Sequence, residues 1–316
     1  PAIWGILTRA RRQVATIGWF VTWPAETNAG IIVSDRIHGP PQEGKVQPPG
    51  VIDPEAYQAR ADPWALSRFT DYPYYADYKR LAPTDPRFEA SFLLEDRLAM
   101  IYARDEAYAR AAHDVAARRD LDALLVYFQG ADTTGHGVWK YFEPEPFRRA
   151  GWTVDPDLAA RLGPVIPRYY DYLDEKLAAL LELADPQALV VVLSDHGHGP
   201  GLGEYETKLG AFMSGNHRLT GVLLLAGPDI RVGSEPRRPV RLDDILPTVL
   251  YALRLPLARD LRGRAVEELF SDSFRASRRL AYVETYRTGA RPARGTLVGR
   301  DEAAIIQSLR SLGYVK

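Results

Sequence analysis

Residues 189–200, LVVVLSDHGHGP, restrict what this chain can fold into more than any other stretch. They open on an unbroken apolar run, Leu189-Val190-Val191-Val192-Leu193. A short β-branched run without polar alternation reads as a buried strand of a parallel sheet. The run stops at Ser194-Asp195-His196-Gly197-His198-Gly199, where the glycines permit a sharp turn. Asp195 and His196 therefore land at a strand's carboxyl end, the edge at which open α/β sheets bind ligands. Carboxylate and imidazole together suit zinc or manganese.

A second run repeats the arrangement. Ala123-Leu124-Leu125-Val126-Tyr127-Phe128 reads as another buried strand, and it delivers Gln129-Gly130-Ala131-Asp132-Thr133-Thr134-Gly135-His136. Asp132 and His136 are four residues apart, so one helical turn puts both on one face. The aromatic residues Trp139, Tyr141 and Phe142 follow and are placed to wall such a site. Between the two runs, residues 169–183 form an amphipathic helix with Leu173, Leu177, Leu180 and Leu181. Strand, helix, strand of this length predicts a right-handed βαβ crossover.

The remaining elements frame these two. Residues 2–12 read as a short helix, and 14–21 and 31–35 as strands. Residues 36–88 are broken by proline and dense in Trp and Tyr, and they read as a cap-like insertion over the ligand edge. Residues 89–119 carry the longest helical periodicity. His113 lies within it and reads as a surface or core residue. A glycine-rich loop at 201–216 precedes His217, then a strand at 221–228. A helix follows at 242–253, entered through Asp243 and Asp244 with Pro247 in its first turns. A polar, Arg-rich tail occupies 271–316.

Composition excludes several classes. The 316 residues are 46% hydrophobic, enough for a sizeable core, and carry 40 basic against 41 acidic side chains. That balance gives no nucleic-acid-binding signature. Cysteine is absent, so a metal site here must use His, Asp or Glu. No run approaches the ~18 apolar residues of a membrane span. The sequence begins at Pro1 and carries no leader, and it reads as an N-terminally truncated piece of a longer protein. Compartment and oligomeric state are not legible.

Taken together, Asp132-x-x-x-His136, then Ser194-Asp195-His196-Gly197, then His217 resemble the alkaline phosphatase superfamily. Within it they are most similar to the type I phosphodiesterase/nucleotide pyrophosphatase branch. The segments 18–26 (GWFVTWPAE), 136–139 (HGVW), 243–250 (DDILPTVL) with Leu255-Pro256, and 309–314 (LRSLGY) add to the likeness. The resemblance implies one α/β domain over 1–316, with a mostly parallel sheet flanked by helices on both faces and lacking its first strand and nucleophile segment. It implies two divalent ions, zinc or else manganese. Asp132, His136 and His217 would bind one of them, and Asp195 and His196 the other. His198 is expected to support the site from outside the ligand set, with Lys208 and Asn216 within reach of substrate oxygens.

The chemistry implied is hydrolysis of a small-molecule phosphoric ester by in-line displacement. In the family a Ser or Thr nucleophile bridges to the second ion. The flanks of Thr22 and Ser34 do not match its setting, so the nucleophile is expected outside this sequence and the piece alone is expected to be inactive. The alternatives on the same scaffold are a sulfatase, a phosphonate hydrolase and a metal-dependent phosphoglycerate mutase. A metal-binding remnant without turnover is the non-catalytic alternative.

Overall fold

The computed structural model describes residues 2–26, 29–37, 52–53, 64, 91–118, 120–203 and 214–287, with side chains described from 102 to 117 within the 91–118 helix. Contacts divide the chain into two compact units. One comprises residues 1–6, 184–197 and 218–291, and the other residues 7–183, 198–217 and 292–316.

The larger unit holds a central, mostly parallel sheet with helices, a mixed α/β arrangement. After helix α1 (Ile3–Arg9) come strands β1 (Val14–Ile17), β2 (Ile31–Val33) and β3 (Ile52–Asp53). Helix α2 (Ser91–Arg118) leads into β4 (Ala123–Val126). The strand order is β3-β2-β1-β4. β1 is parallel to β2 and to β4, and β3 runs antiparallel along the edge. All residues of β1, including Thr16, are buried, as a strand between two parallel neighbours and under a helix requires. Ala107, Tyr108, Ala111, Ala112 and Val115 of α2 pack on Ala15, Ile17, Ile31 and Val33. At Gly18 (φ +70°) the chain turns out of the sheet beneath Tyr108. A Cβ there would lie 2.6 Å from the Tyr108 ring.

Beyond β4 come α3 (Gly130–Phe142), α4 (Pro144–Arg149), α5 (Pro156–Leu162) and α6 (Val165–Leu181). Asp155 caps α5 by accepting from the N–H groups of Asp157 and Leu158, with Pro156 at the first helical position. A second core joins Tyr102 and Ala103 of α2, Val138 of α3, Leu158 and Leu162 of α5, and Val165, Ile166, Tyr169 and Tyr172 of α6. The rings of Tyr102 and Tyr169 lie 4.2 Å apart, and each is 5.5 Å from Tyr172. Such pairs add about 0.5–1.5 kcal/mol each beyond area burial.

The smaller unit contains β5 (Val190–Leu193), β8 (Leu223–Ala226), α7 (Leu242–Ala252), β9 (Leu257–Ala258), α8 (Asp272–Ser277) and β10 (Tyr282–Val283). Between β5 and β8 in the chain, β6 (Gly197–Pro200) pairs with β7 (Gly215–Arg218). The core of this unit gathers Leu250 and Tyr251 with Leu257, Val266, Phe270 and Phe274.

Two expectations are corrected here. β5 does not show parallel pairing: it runs antiparallel to β8, Val190 opposite Ala226 and Leu193 opposite Leu223, and its residues are half-buried or exposed. An apolar run of this length reports burial of some kind without reporting strand direction. Pro247 is the sixth residue of α7 and stands inside the helix. It has no N–H to offer the Asp243 carbonyl. Gly263 packs so closely on that carbonyl that a Cβ would sit 1.8 Å from it.

Of the stretch 36–88 the described residues include β3 and the buried Trp64, whose indole N–H donates to Asp114 (3.3 Å). The rest of the expected cap lies outside the described residues, as does the tail beyond 287. Among the described residues no helix is long and apolar enough to cross a membrane.

Candidate metal centre

The helix bearing Asp132 and His136 begins without help from its own cap residue, because the Gln129 side chain makes no capping bond. Asp105 of α2 does the capping instead. Its carboxylate accepts from the N–H of Gln129 (3.1 Å) and of Gly130 (2.9 Å), and from the Tyr169 hydroxyl (2.5 Å). A carboxylate at this end also complements the helix dipole. Asp105 has no exposed surface. Burial pushes its carboxyl up to about 6, opposed by the Tyr169 hydroxyl and the two N–H donors. Gly130 is needed beside this cluster, since a Cβ would fall 1.7 Å from the Tyr169 oxygen.

At the other end of the site, Ser214 fastens β7 to α3. Its N–H donates to the His136 carbonyl (2.7 Å), and its carbonyl accepts from Gly201 N–H (2.8 Å). Its hydroxyl oxygen accepts from Lys140 N–H (3.1 Å) and donates to the Gly137 carbonyl (3.3 Å). The next residue, Gly215, lies so close that a Cβ would be 2.1 Å from the Gly135 carbonyl. Close approach lets the Gly215 carbonyl accept from His136 Nδ1 at 2.8 Å. A carbonyl can only accept, so Nδ1 carries the hydrogen and Nε2 of the neutral ring presents a lone pair.

That lone pair faces a set of donors. His136 Nε2 is 2.8 Å from His217 Nε2 and 3.4 Å from Asp132 Oδ1. His217 Nε2 and His198 Nε2 stand 3.3 and 3.6 Å from the same Oδ1. Ligand atoms of Asp132, His136, His198 and His217 all lie within 4.8 Å of one another. Two donors on one tetrahedral zinc at bond lengths of about 2.0–2.1 Å are separated by about 3.3 Å. The observed separations bracket that value, and the donors are of the right type, so the residues fit a divalent ion. Burial acts to raise the Asp132 carboxyl, but while the imidazoles are protonated, hydrogen bonds from His136 and His217 and the charges of His136 and His198 overrule it. The group is held far below its ordinary range. An anionic oxygen among imidazoles is what a cation site requires.

Asp132, His136 and His217 are thus brought together in the larger unit. Asp195 and His196 sit in the smaller one, on the turn after β5. There His196 Nε2 is 3.6 Å from Asp195 Oδ1 while Nδ1 donates to the Gly197 carbonyl (3.1 Å), again leaving Nε2 to face a carboxylate. Ser194 braces the turn against Val222, donating from its N–H at 3.0 Å and accepting on its hydroxyl at 2.8 Å. Asn216 accepts from the N–H of His217 (2.7 Å) and so fixes that backbone. Lys208 lies outside the described residues, and His113 is exposed on α2.

His198, expected to stand outside the ligand set, is among the four converging side chains. Its ring stacks on Trp139 (5.8 Å, 23°) and stands edge-on to His136 (4.7 Å). A Cβ on Gly135 would come within 2.9 Å of the His198 ring. The sequence held a faint signal of this. Gly130, Gly135 and Gly137 weaken α3 by about 1 kcal/mol each relative to alanine, and a glycine kept inside a helix marks a close approach.

Compared with known protein families, residues 1–244 match the model of the type I phosphodiesterase / nucleotide pyrophosphatase family. Neither the curated proteins nor the solved structures give a match.

Proposed function

This chain belongs to the type I phosphodiesterase/nucleotide pyrophosphatase family of the alkaline phosphatase superfamily, and from that premise we propose that it is a metal-dependent hydrolase of small phosphoric esters that uses two divalent ions, zinc by preference. The observation that carries the reading is the convergence of Asp132, His136 and His217 from two distant segments onto one point. Asp195 and His196 are assigned to the second ion. The family match favours phosphodiester or pyrophosphate substrates over sulfate esters and phosphonates.

Bound there, divalent ions would lower the pKa of an attacking hydroxyl and neutralise charge on the leaving oxygen. The side chains of this chain do the preparatory work. The Gly215 carbonyl and the Gly197 carbonyl hold His136 and His196 in the tautomer whose Nε2 is a donor pair. The Asp132 Oδ1 faces Nε2 of His136, His217 and His198 at 3.4, 3.3 and 3.6 Å. The Trp139 ring stacks on His198 at 5.8 Å and stands edge-on to Phe142 at 5.5 Å. Neither Thr22 nor Ser34 is assigned as nucleophile. The Thr22 hydroxyl donates to the Trp19 carbonyl (2.5 Å), and Ser34 is fully buried and accepts from Arg36 N–H. The reading assigns no nucleophile among the described residues.

Metal content decides the proposal. Protein dialysed against zinc is expected to hold two ions per chain by elemental analysis. Asp132→Ala and the pair Asp195→Ala/His196→Ala should each lose one. Two ions retained in the latter variant would remove the second site, and metal content unaffected by Asp132→Ala would remove the first.

A further inference from the structure

We propose that Lys140 is an oxyanion-binding residue beside the metal centre, its buried ammonium taking a phosphoryl oxygen of the bound ester. The inference rests on the hydrolase reading above and adds a side chain which that reading does not use.

Lys140 follows Asp132 and His136 at four-residue steps along α3. Residues so spaced succeed one another on one side of a helix, roughly 6 Å apart along its axis. Helical side chains lean back over the preceding turn. For Lys140 that turn holds His136 and Gly137, and Gly137 has no side chain of its own. Its main-chain N–H donates to the Ser214 hydroxyl (3.1 Å), beside the Gly215 carbonyl that orients His136. Yet Lys140 is only 8% exposed. Among the described residues no carboxylate or carbonyl accepts from its ammonium, and Nζ lies over the Tyr141 ring, 5.0 Å from the centroid. Burial lowers its amine below the ordinary value, and no neighbouring charge opposes the shift.

A buried ammonium is costly unless an anion meets it, and the face of an aromatic ring is a weaker partner than a charge. A lysine with a purely structural role finds its partner inside the fold, as Lys176 finds Glu106 at 2.8 Å. Lys140 lacks such a partner among the described residues, so its position calls for an anion that arrives with a ligand. A phosphoric ester brings one. In displacement the phosphoryl group spreads its charge over three equatorial oxygens. The attacking and leaving oxygens are those that divalent ions clamp, and an equatorial oxygen is left for a further cation. An ammonium one turn from His136 meets that oxygen with a charge-assisted hydrogen bond.

The test uses the whole chain loaded with cobalt(II), whose visible absorption reports the ligands of the ion, and inorganic phosphate as the probe. Lys140→Met keeps the length of the side chain without its charge, and Lys140→Gln keeps a polar end without charge. Titration with phosphate, followed through the cobalt absorption, counts only phosphate that reaches the ion. Affinity should fall about ten- to a hundredfold in both variants, the worth of one hydrogen bond to a charged group. Before phosphate is added, both should show the wild-type cobalt spectrum, which also establishes that they fold. Lys140→Met should unfold at a higher temperature than wild type in the absence of phosphate, since no unpaired charge is buried. Equal phosphate affinity in wild type and variants would overturn the role of Lys140 and leave the metal reading standing. A cobalt spectrum altered in both variants before phosphate, or a less stable Lys140→Met, would make Lys140 a support of the fold and overturn the proposal as well. A wild-type chain that takes up no cobalt would remove the metal reading, and this proposal with it.

Discussion

Single atoms decide much of this site. Asp132 offers its Oδ1 to three histidines, and its amide analogue would offer a neutral, weaker oxygen. Asp132→Asn is therefore expected to lower zinc affinity by at least two orders of magnitude while leaving the α3 backbone in place, read by competition with a chromophoric chelator. The two glycines that meet over the site make opposite predictions. Gly135→Ala gains about 1 kcal/mol of intrinsic helix propensity, yet its Cβ pushes on the His198 ring. Urea denaturation should show unchanged or raised stability, and the cobalt spectrum should shift. Gly215→Ala meets the Gly135 carbonyl, which is backbone and cannot turn aside. Overpacking of this kind costs about 1–3 kcal/mol, and His217 withdraws with its strand, so stability and zinc affinity fall together.

At the level of elements, α3 is poised by a group on another helix. Asp105 caps it, and Asp105 is buried, so its carboxyl titrates near 6 in the folded chain against an ordinary 3.8. Between those values the folded protein keeps a proton that the unfolded chain has released. Stability contributed by the neutral acid is therefore fully present below about 4 and lost as pH rises through 6, by at most about 3 kcal/mol. Asp105→Asn should remove that segment of the profile, seen as a wild-type-minus-variant stability difference that changes from pH 4 to 6.5 and is flat beyond. Tyr169→Phe takes away a hydrogen bond that favours the ionised form, so the same segment should extend to higher pH. Much of this element was legible in the sequence. Its strand-then-helix order and the i,i+4 spacing of Asp132 and His136 follow from local periodicity. The capping by Asp105 was not, because the two partners are 25 residues apart and no local rule connects them. The direction of β5 was hidden for the same reason: pairing with β8 is a choice between distant segments, and Val190–Leu193 would be apolar in either sheet.

For the molecule as a whole, the candidate ligands fall into separate compact units, and this gives the two-ion reading a spatial test. Asp132, His136, His198 and His217 belong to the larger unit, Asp195 and His196 to the smaller. An ion that binds only the folded form stabilises it by RT ln(1 + [L]/Kd), about 2.7 kcal/mol at one hundred times Kd. That stabilisation slows hydrogen exchange where the ligands are fixed. Zinc should therefore protect the amides of α3, β6 and β7, most strongly around His136, Ser214 and His217, whose backbones are already linked. A second ion on Asp195 and His196 must add protection at residues 194–197 and at Val222, which Ser194 ties to that turn. The two effects should separate in a zinc titration followed by exchange and mass spectrometry. Asp195→Ala/His196→Ala should erase the protection at 194–197 and at Val222, leaving that of α3 intact. Protection confined to α3, β6 and β7 at every zinc concentration would mean a single ion, and Asp195 and His196 would then be no more than a braced turn at the end of β5.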